Sequence, residues 1–270
     1  MSGNETVLGL VGSPNHGGLT NQLVTAALEG AARAGTATEL VQMSDNVVNP
    51  CRDCLPWVCN TNLKCTYEDN NFEMLSNKII NCSGLILGTP VYLWDTSAMV
   101  KYLILKMFRV FGLSGQLDGL PALGIAIAGG TGNGLISGLR PVYHFFQFMQ
   151  MRAIEPLPVA RFNLDQATKR AEKLGNRIAE MIQERKPFGG RDECLFWYDH
   201  LPYLGESRSA ERRLLAALTL EAIPAERRPG IEGDLARADI LTASGRLLDA
   251  MTETSKVINS CSKIFNAKQV

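Results

Sequence analysis

Between residues 5 and 186 the chain alternates short, nearly unbroken apolar runs with longer segments whose apolar positions recur at helical period. Apolar runs of this kind suit strands buried on both faces, and the helical segments between them supply the cover. Strands are expected over TVLGLVG (6–12), TATELVQM (36–43), GLILGTP (84–90), PALGIAIAGG (121–130) and AIEPLPVAR (153–161). Helices are expected over TNQLVTAALEGAARAG (20–35), NFEMLSNKIINC (71–82), SAMVKYLILKMFRVFG (97–112), SGLRPVYHFFQFMQM (137–151) and LDQATKRAEKLGNRIAEMIQERK (164–186). Pro141 falls in the first turn of the fourth helix, where its missing N–H is harmless.

This alternation predicts an α/β domain with a flavodoxin-like, doubly wound, five-stranded parallel sheet over residues 1–186, carrying a cysteine-rich insertion at 45–69. The rhythm stops at residue 187, where an aromatic, proline-punctuated stretch runs to Ser207. Two helices follow, over SAERRLLAALTLEAI (209–223) and from about Asp234 to Phe265, so residues 187–270 form an expected helical C-terminal extension. On its second helix Ile240, Leu247, Leu248, Met251 and Ile258 make one apolar stripe. That stripe calls for cover from the core domain or from a second subunit.

Charge removes some partners from consideration. Lys+Arg and Asp+Glu are both 27, so the net charge is zero and no basic field is offered to nucleic acid. No run approaches the roughly 20 apolar residues of a membrane span, and the N-terminus lacks a basic region before its apolar stretch. A soluble, cytoplasmic protein is expected. In a reducing compartment, clustered cysteines serve as metal ligands or catalytic thiols more often than as disulfides.

In open parallel sheets ligands collect beyond the carboxyl ends of the strands, so the loops there carry the chemistry. GSPNHGGLTNQL follows the first strand, with backbone N–H groups at a helix start and neutral side-chain donors from Ser13, Asn15 and Thr20. Such a loop suits an anion, and it is neither a Walker pattern nor a dinucleotide fingerprint. GTPVYLWDTSAMVK follows the third strand and offers Tyr92 and Trp94 as a wall for a planar ring. AGGTGNGLISG follows the fourth, a glycine-rich rim that lets a ligand approach the backbone.

These three segments resemble the FMN loops of the NADPH-dependent FMN reductase family, and PCRDCLPWVCNTNLKC followed by YEDN resembles the cysteine segment of its iron-sulfur flavoprotein branch. The likeness covers roughly residues 5–186. It implies that Ser13, Asn15, Thr20 and Asn21 hold the FMN phosphate. Pro90, Val91, Tyr92, Leu93 and Trp94 would then line the isoalloxazine, and Gly129, Gly130 and Gly134 would close on its pyrimidine side. The chain departs from the family where Asn15 and His16 replace basic residues, where Leu19 replaces an asparagine, and where Trp94 replaces a glycine. Members are commonly dimers or tetramers, which implies a homodimer or homotetramer here.

Cys51, Cys54, Cys59 and Cys65 are spaced C-x2-C-x4-C-x5-C, with LPWV standing where the iron-sulfur branch has two residues. Four readings stay open: ligands of a 4Fe-4S cluster, zinc ligands, redox thiols with Cys51 and Cys54 as a pair, and inert packing. Pro56 and Trp57 would shield a cluster from water, and Cys82, Cys194 and Cys261 read as packing residues. The implied activity is an FMN-dependent oxidoreductase taking electrons from NAD(P)H or ferredoxin and passing them to a small-molecule or protein acceptor. No side chain is required as acid or base, and His144 reads as a packed helix residue. The alternatives are a cluster-free NAD(P)H-dependent reductase of FMN, quinone, azo or nitro compounds, and a non-catalytic electron carrier or redox sensor.

Overall fold

The computed structural model describes residues 5–54, 58–112 and 114–267. Its core runs β1 (Thr6–Val11), α1 (Leu19–Arg33), β2 (Ala37–Gln42), α2 (Val58–Asn62), α3 (Asn70–Asn81), β3 (Gly84–Pro90), α4 (Ala98–Phe111), β4 (Pro121–Ala128), α5 (Arg140–Phe148), β5 (Arg152–Ala153), β6 (Leu157–Ala160) and α6 (Leu164–Gln183). All pairings are parallel, in the order β2-β1-β3-β4, with β5 and β6 both against β4. This is the flavodoxin-like doubly wound sheet, whose order reverses between β1 and β3.

The expected fifth strand is two segments on one line. Arg152 and Ala153 pair with Pro121 and Ala122, whereas Leu157 to Ala160 pair with Ile125 to Ala128, so one extra residue is accommodated between them. Pro156 lies in that gap and has no N–H for the ladder, which explains the break.

Alternation along the strands divides the core. Leu8, Leu10, Leu85 and Leu87 face α3, α4 and α5 through Phe72, Leu103, Met107, Tyr143 and Phe146. Val7, Val11, Ile86 and Ile125 face α1 and α6 through Leu23, Val24, Leu174 and Ile178. α1 and α6 cross at two glycines: a Cβ on Gly175 would stand 1.7 Å from the Ala27 carbonyl oxygen, and one on Gly30 would stand 1.9 Å from that of Glu172.

Beyond α6 the described residues form four α-helices, where the sequence pattern suggests two: α7 (Arg191–Asp199), α8 (Arg208–Glu221), α9 (Pro229–Ala243) and α10 (Leu247–Ala267). The aromatic stretch forms α7 because Cys194 and Tyr198 find cover on the main core, next to partly buried Trp197. The expected long helix is broken at Gly245, whose φ of 77° reverses the chain between α9 and α10. The five stripe residues therefore do not form one face. Ile240 and Leu248 are exposed, Met251 borders a cavity, and Ile258 is buried against α8 residues and the end of β4. His144 is likewise exposed rather than packed. No helix among the described residues is long and apolar enough to cross a membrane.

The Gly175→Ala variant will unfold at lower denaturant, with a loss of about 1–3 kcal/mol, because the added methyl meets backbone and not a movable side chain. Urea titration followed by far-UV circular dichroism checks this.

Candidate functional site

The three loops converge at the carboxyl edge of the sheet. In the first, Ser13 is buried and its hydroxyl accepts from the Asn15 N–H at 3.2 Å, so it organises the loop. Gln42, at the end of β2, donates to the Ser13 carbonyl, and Asn21 donates to the Gln42 side chain at 3.3 Å. Asn21 is thus drawn toward β2, while Asn15 is exposed. Gly18 caps α1 without a side-chain hydrogen bond, which leaves first-turn N–H groups and the positive helix end to an anion. Thr20 is buried at that turn, and His16 pairs with Asp45 at 2.9 Å across the loop mouth.

The second loop is a tight turn. Tyr92 and Asp95 exchange backbone hydrogen bonds of 2.9 and 3.0 Å, with Leu93 and Trp94 at φ 50° and 61° between them. Two consecutive positive φ values normally call for Asn or Gly. The position where the resembled family carries glycine thus keeps a glycine-like backbone although Trp94 fills it, at a strain of about 1–3 kcal/mol. Leu93 is 91% exposed and Tyr92 and Trp94 about half exposed, so the turn projects apolar surface into solvent.

Ser97 secures the base of this loop. Its hydroxyl donates to the Gly12 carbonyl at 2.7 Å and accepts from the Val100 N–H, capping α4. Val91 donates to the Ile127 carbonyl at 2.9 Å and so joins the loop to β4.

In the third loop Gly129 and Gly130 are exposed, and a Cβ on Gly130 would meet nothing within 4 Å. Gly134 has another place: its Cβ would stand 2.8 Å from Val91 and 3.0 Å from the Trp94 backbone, behind the wall and not on the rim. Val91, Leu93 and Trp94 on one side and Ala128 to Asn133 on the other bound a cleft of ≈ 370 Å³. A flat apolar wall opposite open glycine backbone, beside an uncapped helix end, can hold a planar ring with an anionic tail.

The cysteine segment lies on another side of α4. Cys54 and Cys59 have their sulfurs 4.0 Å apart, and Cys54 also donates to Thr66. Burial first, then the Cys54 hydrogen bond, pushes the Cys59 thiol above its ordinary range, with Cys65 adding to the rise. Arg109 of α4 donates to the Cys54 carbonyl at 3.0 Å and pairs with Asp53. Among the described residues no three His, Cys, Asp or Glu side chains are arranged to hold a metal ion. Pro56 and Trp57 lie outside the described residues. Cys82, Cys194 and Cys261 are buried, and burial raises the Cys82 thiol to about 12, which suits packing residues.

Sequence reasoning missed Asp69 and Lys106, a fully buried ion pair behind this segment. Asp69 also accepts from the Asn49 and Phe72 N–H groups, so one carboxylate ties the segment's start, the α3 N-terminus and α4 together. Burial alone would raise its pKa, but the Lys106 hydrogen bond and the two N–H donors outweigh it and hold the carboxyl below the usual range. Also missed were Glu211 and Arg212 of α8, which bond to Ser137 and Asn133 of the third loop. Only the helix itself was legible at those positions.

The sequence profile described as NADPH-dependent FMN reductase matches residues 6–169. An iron-sulfur flavoprotein of Methanocaldococcus jannaschii is 28% identical over 191 residues, covering 66% of this chain and 97% of that one. Another, of Archaeoglobus fulgidus, is 27% identical over 199 residues, covering 70% and 85%. Among solved structures, a flavone reductase superposes with a TM-score of 0.54 at 15% identity, covering 68% of this chain and 66% of that one, which is a likeness of fold.

Asp69→Asn will destabilise the protein by about 3 kcal/mol at neutral pH, since it leaves the Lys106 ammonium buried without its counter-charge. Because the folded-state pKa is depressed, the pair's contribution is present above the ordinary carboxylate value of about 3.9 and is lost as pH falls through the native one. Urea midpoints measured between about pH 5 and pH 3 will therefore fall more steeply for the wild type than for the variant.

Proposed function

From the premise that this chain belongs to the NADPH-dependent FMN reductase family and is a flavin-dependent oxidoreductase, we propose that FMN occupies the cleft between the second and third loops, with its phosphate at the first. The observation that carries this placement is the open backbone of Gly129 and Gly130 opposite Leu93 and Trp94. Bound FMN supplies the hydride and single-electron chemistry. The chain positions it. The first-turn N–H groups of α1 and the Ser13-ordered loop receive the phosphate, as the uncapped helix end favours. Pro90 to Trp94 set the ring's plane, and Gly134 lets the wall approach the rim. Thr20 packs beneath this seat, its methyl 3.1 Å from where a Cβ on Gly88 would stand.

We assign the donor to NAD(P)H or ferredoxin and the acceptor to a small molecule or protein that reaches the cleft at its exposed Leu93 and Trp94 side. Cys51, Cys54, Cys59 and Cys65 are proposed as thiolate ligands of a 4Fe-4S cluster. The donor set fits by chemistry, four thiols within fifteen residues, and two relatives carry the name iron-sulfur flavoprotein. A cluster would add a one-electron carrier. A second reading, the cluster-free reductase, is favoured by the Cys54–Cys59 contact of 4.0 Å, which leaves no room for a cuboid between those sulfurs as they stand.

An absorbance spectrum of anaerobically purified protein, with iron and sulfide assayed on the same sample, separates the two. Flavin bands with about four iron and four sulfide per chain support the cluster, and flavin bands without iron after reconstitution support the cluster-free enzyme. Absence of flavin, with none taken up from added FMN, overturns both.

Gly130→Val will fold normally, because its Cβ meets nothing, yet will lose at least about tenfold in FMN affinity by filling the cleft. Fluorescence titration with FMN checks this, and unchanged affinity would contradict the placement.

A further inference from the structure

We propose that the cavity between α8, α10 and the third loop is a binding subsite for a small ring compound that carries one negative charge and a hydroxyl or N–H donor. The cavity measures ≈ 190 Å³ and is bounded by Trp94, Asn133, Arg208, Glu211, Arg212 and Met251, among others. It shares Trp94 and Asn133 with the cleft of the second and third loops, so its occupant stands beside whatever that cleft holds.

Glu211 is the first reason. The residue is 4% exposed, and Oε2 accepts from the Ser137 hydroxyl at 2.6 Å. Oε1 is buried without a hydrogen-bond partner among the described residues. A buried carboxylate oxygen left unpaired is unfavourable, and a ligand that brings an O–H or N–H group relieves it.

Charge is the second reason. Elsewhere in the extension Arg213 pairs with Asp239, Arg237 with Asp234 and Glu253, and Arg246 with Asp249. The two arginines at the cavity have no carboxylate partner among the described residues. Arg212 is held in place by neutral groups, donating to Asn133 Oδ1 at 3.1 Å and Ser255 Oγ at 2.8 Å. Arg208 is exposed at the mouth. Two guanidinium groups against one carboxylate leave a surplus positive charge, which a single carboxylate on the ligand balances with the fork geometry that arginine favours.

Size and lining narrow the class further. A cavity of about 150 Å³ admits benzene, whereas pockets for larger ligands run from about 300 Å³ upward. The space therefore takes one substituted ring and not a dinucleotide, and the Trp94 indole and Met251 thioether suit a ring face. A hydroxylated or amino-substituted aromatic acid meets every condition. The proposal rests on the flavin reading only in placing this ligand next to FMN, as the acceptor or its neighbour. The binding itself does not depend on that reading.

Calorimetric titration of the protein as purified with 4-hydroxybenzoate, benzoate and phenol tests the subsite. The expected result is about tenfold tighter binding of 4-hydroxybenzoate than of either fragment, as a charge-assisted hydrogen bond and an ion pair each predict. Arg208→Ala will weaken both benzoates about tenfold. Glu211→Gln keeps an acceptor for Ser137 and will erase the advantage of the hydroxyl, bringing 4-hydroxybenzoate to the level of benzoate. Arg177→Ala, on the exposed face of α6, serves as the control and will change neither. No binding of 4-hydroxybenzoate to the wild type, or equal affinity in the Arg208 and Glu211 variants, overturns the proposal. Flavin content measured on each sample separates the two readings: flavin retained without probe binding refutes the subsite alone, and probe binding without flavin refutes the cleft assignment alone.

Discussion

The ends of β1 and β3 lie too close for side chains, and the cleft depends on that contact. A Cβ on Gly12 would stand 2.2 Å from Val100 Cγ2 and 2.9 Å from the Gly88 carbonyl, and one on Gly88 would stand 2.4 Å from Val24. Gly12 donates to the Gly88 carbonyl at 2.8 Å as the two chains part. Backbone groups so deeply buried need partners, and side chains of the second loop provide them. Ser97 takes the Gly12 carbonyl, while the Thr89 hydroxyl accepts from Thr96 Oγ1 at 2.6 Å and the Ser97 N–H at 3.0 Å. Because the first two loops leave the sheet from one pinned point, their separation is set before any ligand arrives.

Much of this was readable along the chain. The strands of the sheet's centre are continuous apolar runs, and α3 and α4 beside them begin at side-chain caps, Asp69 and Ser97, so there local signals and tertiary burial agree. Ser13, Pro90 to Trp94, Gly129 and Gly130 stand where the strand-end rule puts them. Less was readable where a long-range contact decides. Nothing local in NTNLKCTYEDN says that Asp69 will meet Lys106, which lies 37 residues away on a different helix. Gly134 reads as another rim glycine, and only the packing of Val91 and Trp94 over it shows otherwise. The split of the last helix turned on Gly245, a residue that helical interiors tolerate at modest penalty, so periodicity ran through it unbroken.

The extension enters the site by a route that family patterns over residues 6–169 could not disclose. Leu215 sits where a Cβ on Gly132 would stand 2.4 Å from it, and Leu135 and Ile136 share a core with Leu220, Val257 and Ile258. The third loop is therefore packed from below by β4 and from the side by α8 and α10. A glycine-rich segment that would be pliable alone is held by these contacts and by the bonds of Ser137 and Asn133 to α8.

The interrupted fifth strand has a bearing on how the molecule meets others of its kind. A sheet edge normally presents a row of vacant carbonyl and amide groups that can capture a strand from another chain. Here two aromatic side chains of α7 occupy carbonyls along that margin. Tyr198 donates to the Met151 carbonyl at 2.7 Å and Trp197 to that of Ala153 at 2.8 Å, while on the inner side Tyr143 accepts from the Gly124 N–H of β4 at 3.2 Å and donates to the Ile154 carbonyl at 2.9 Å, bridging the break. With Pro158 lacking an amide donor as well, this border offers fewer free backbone groups to a strand from another chain than an ordinary edge does.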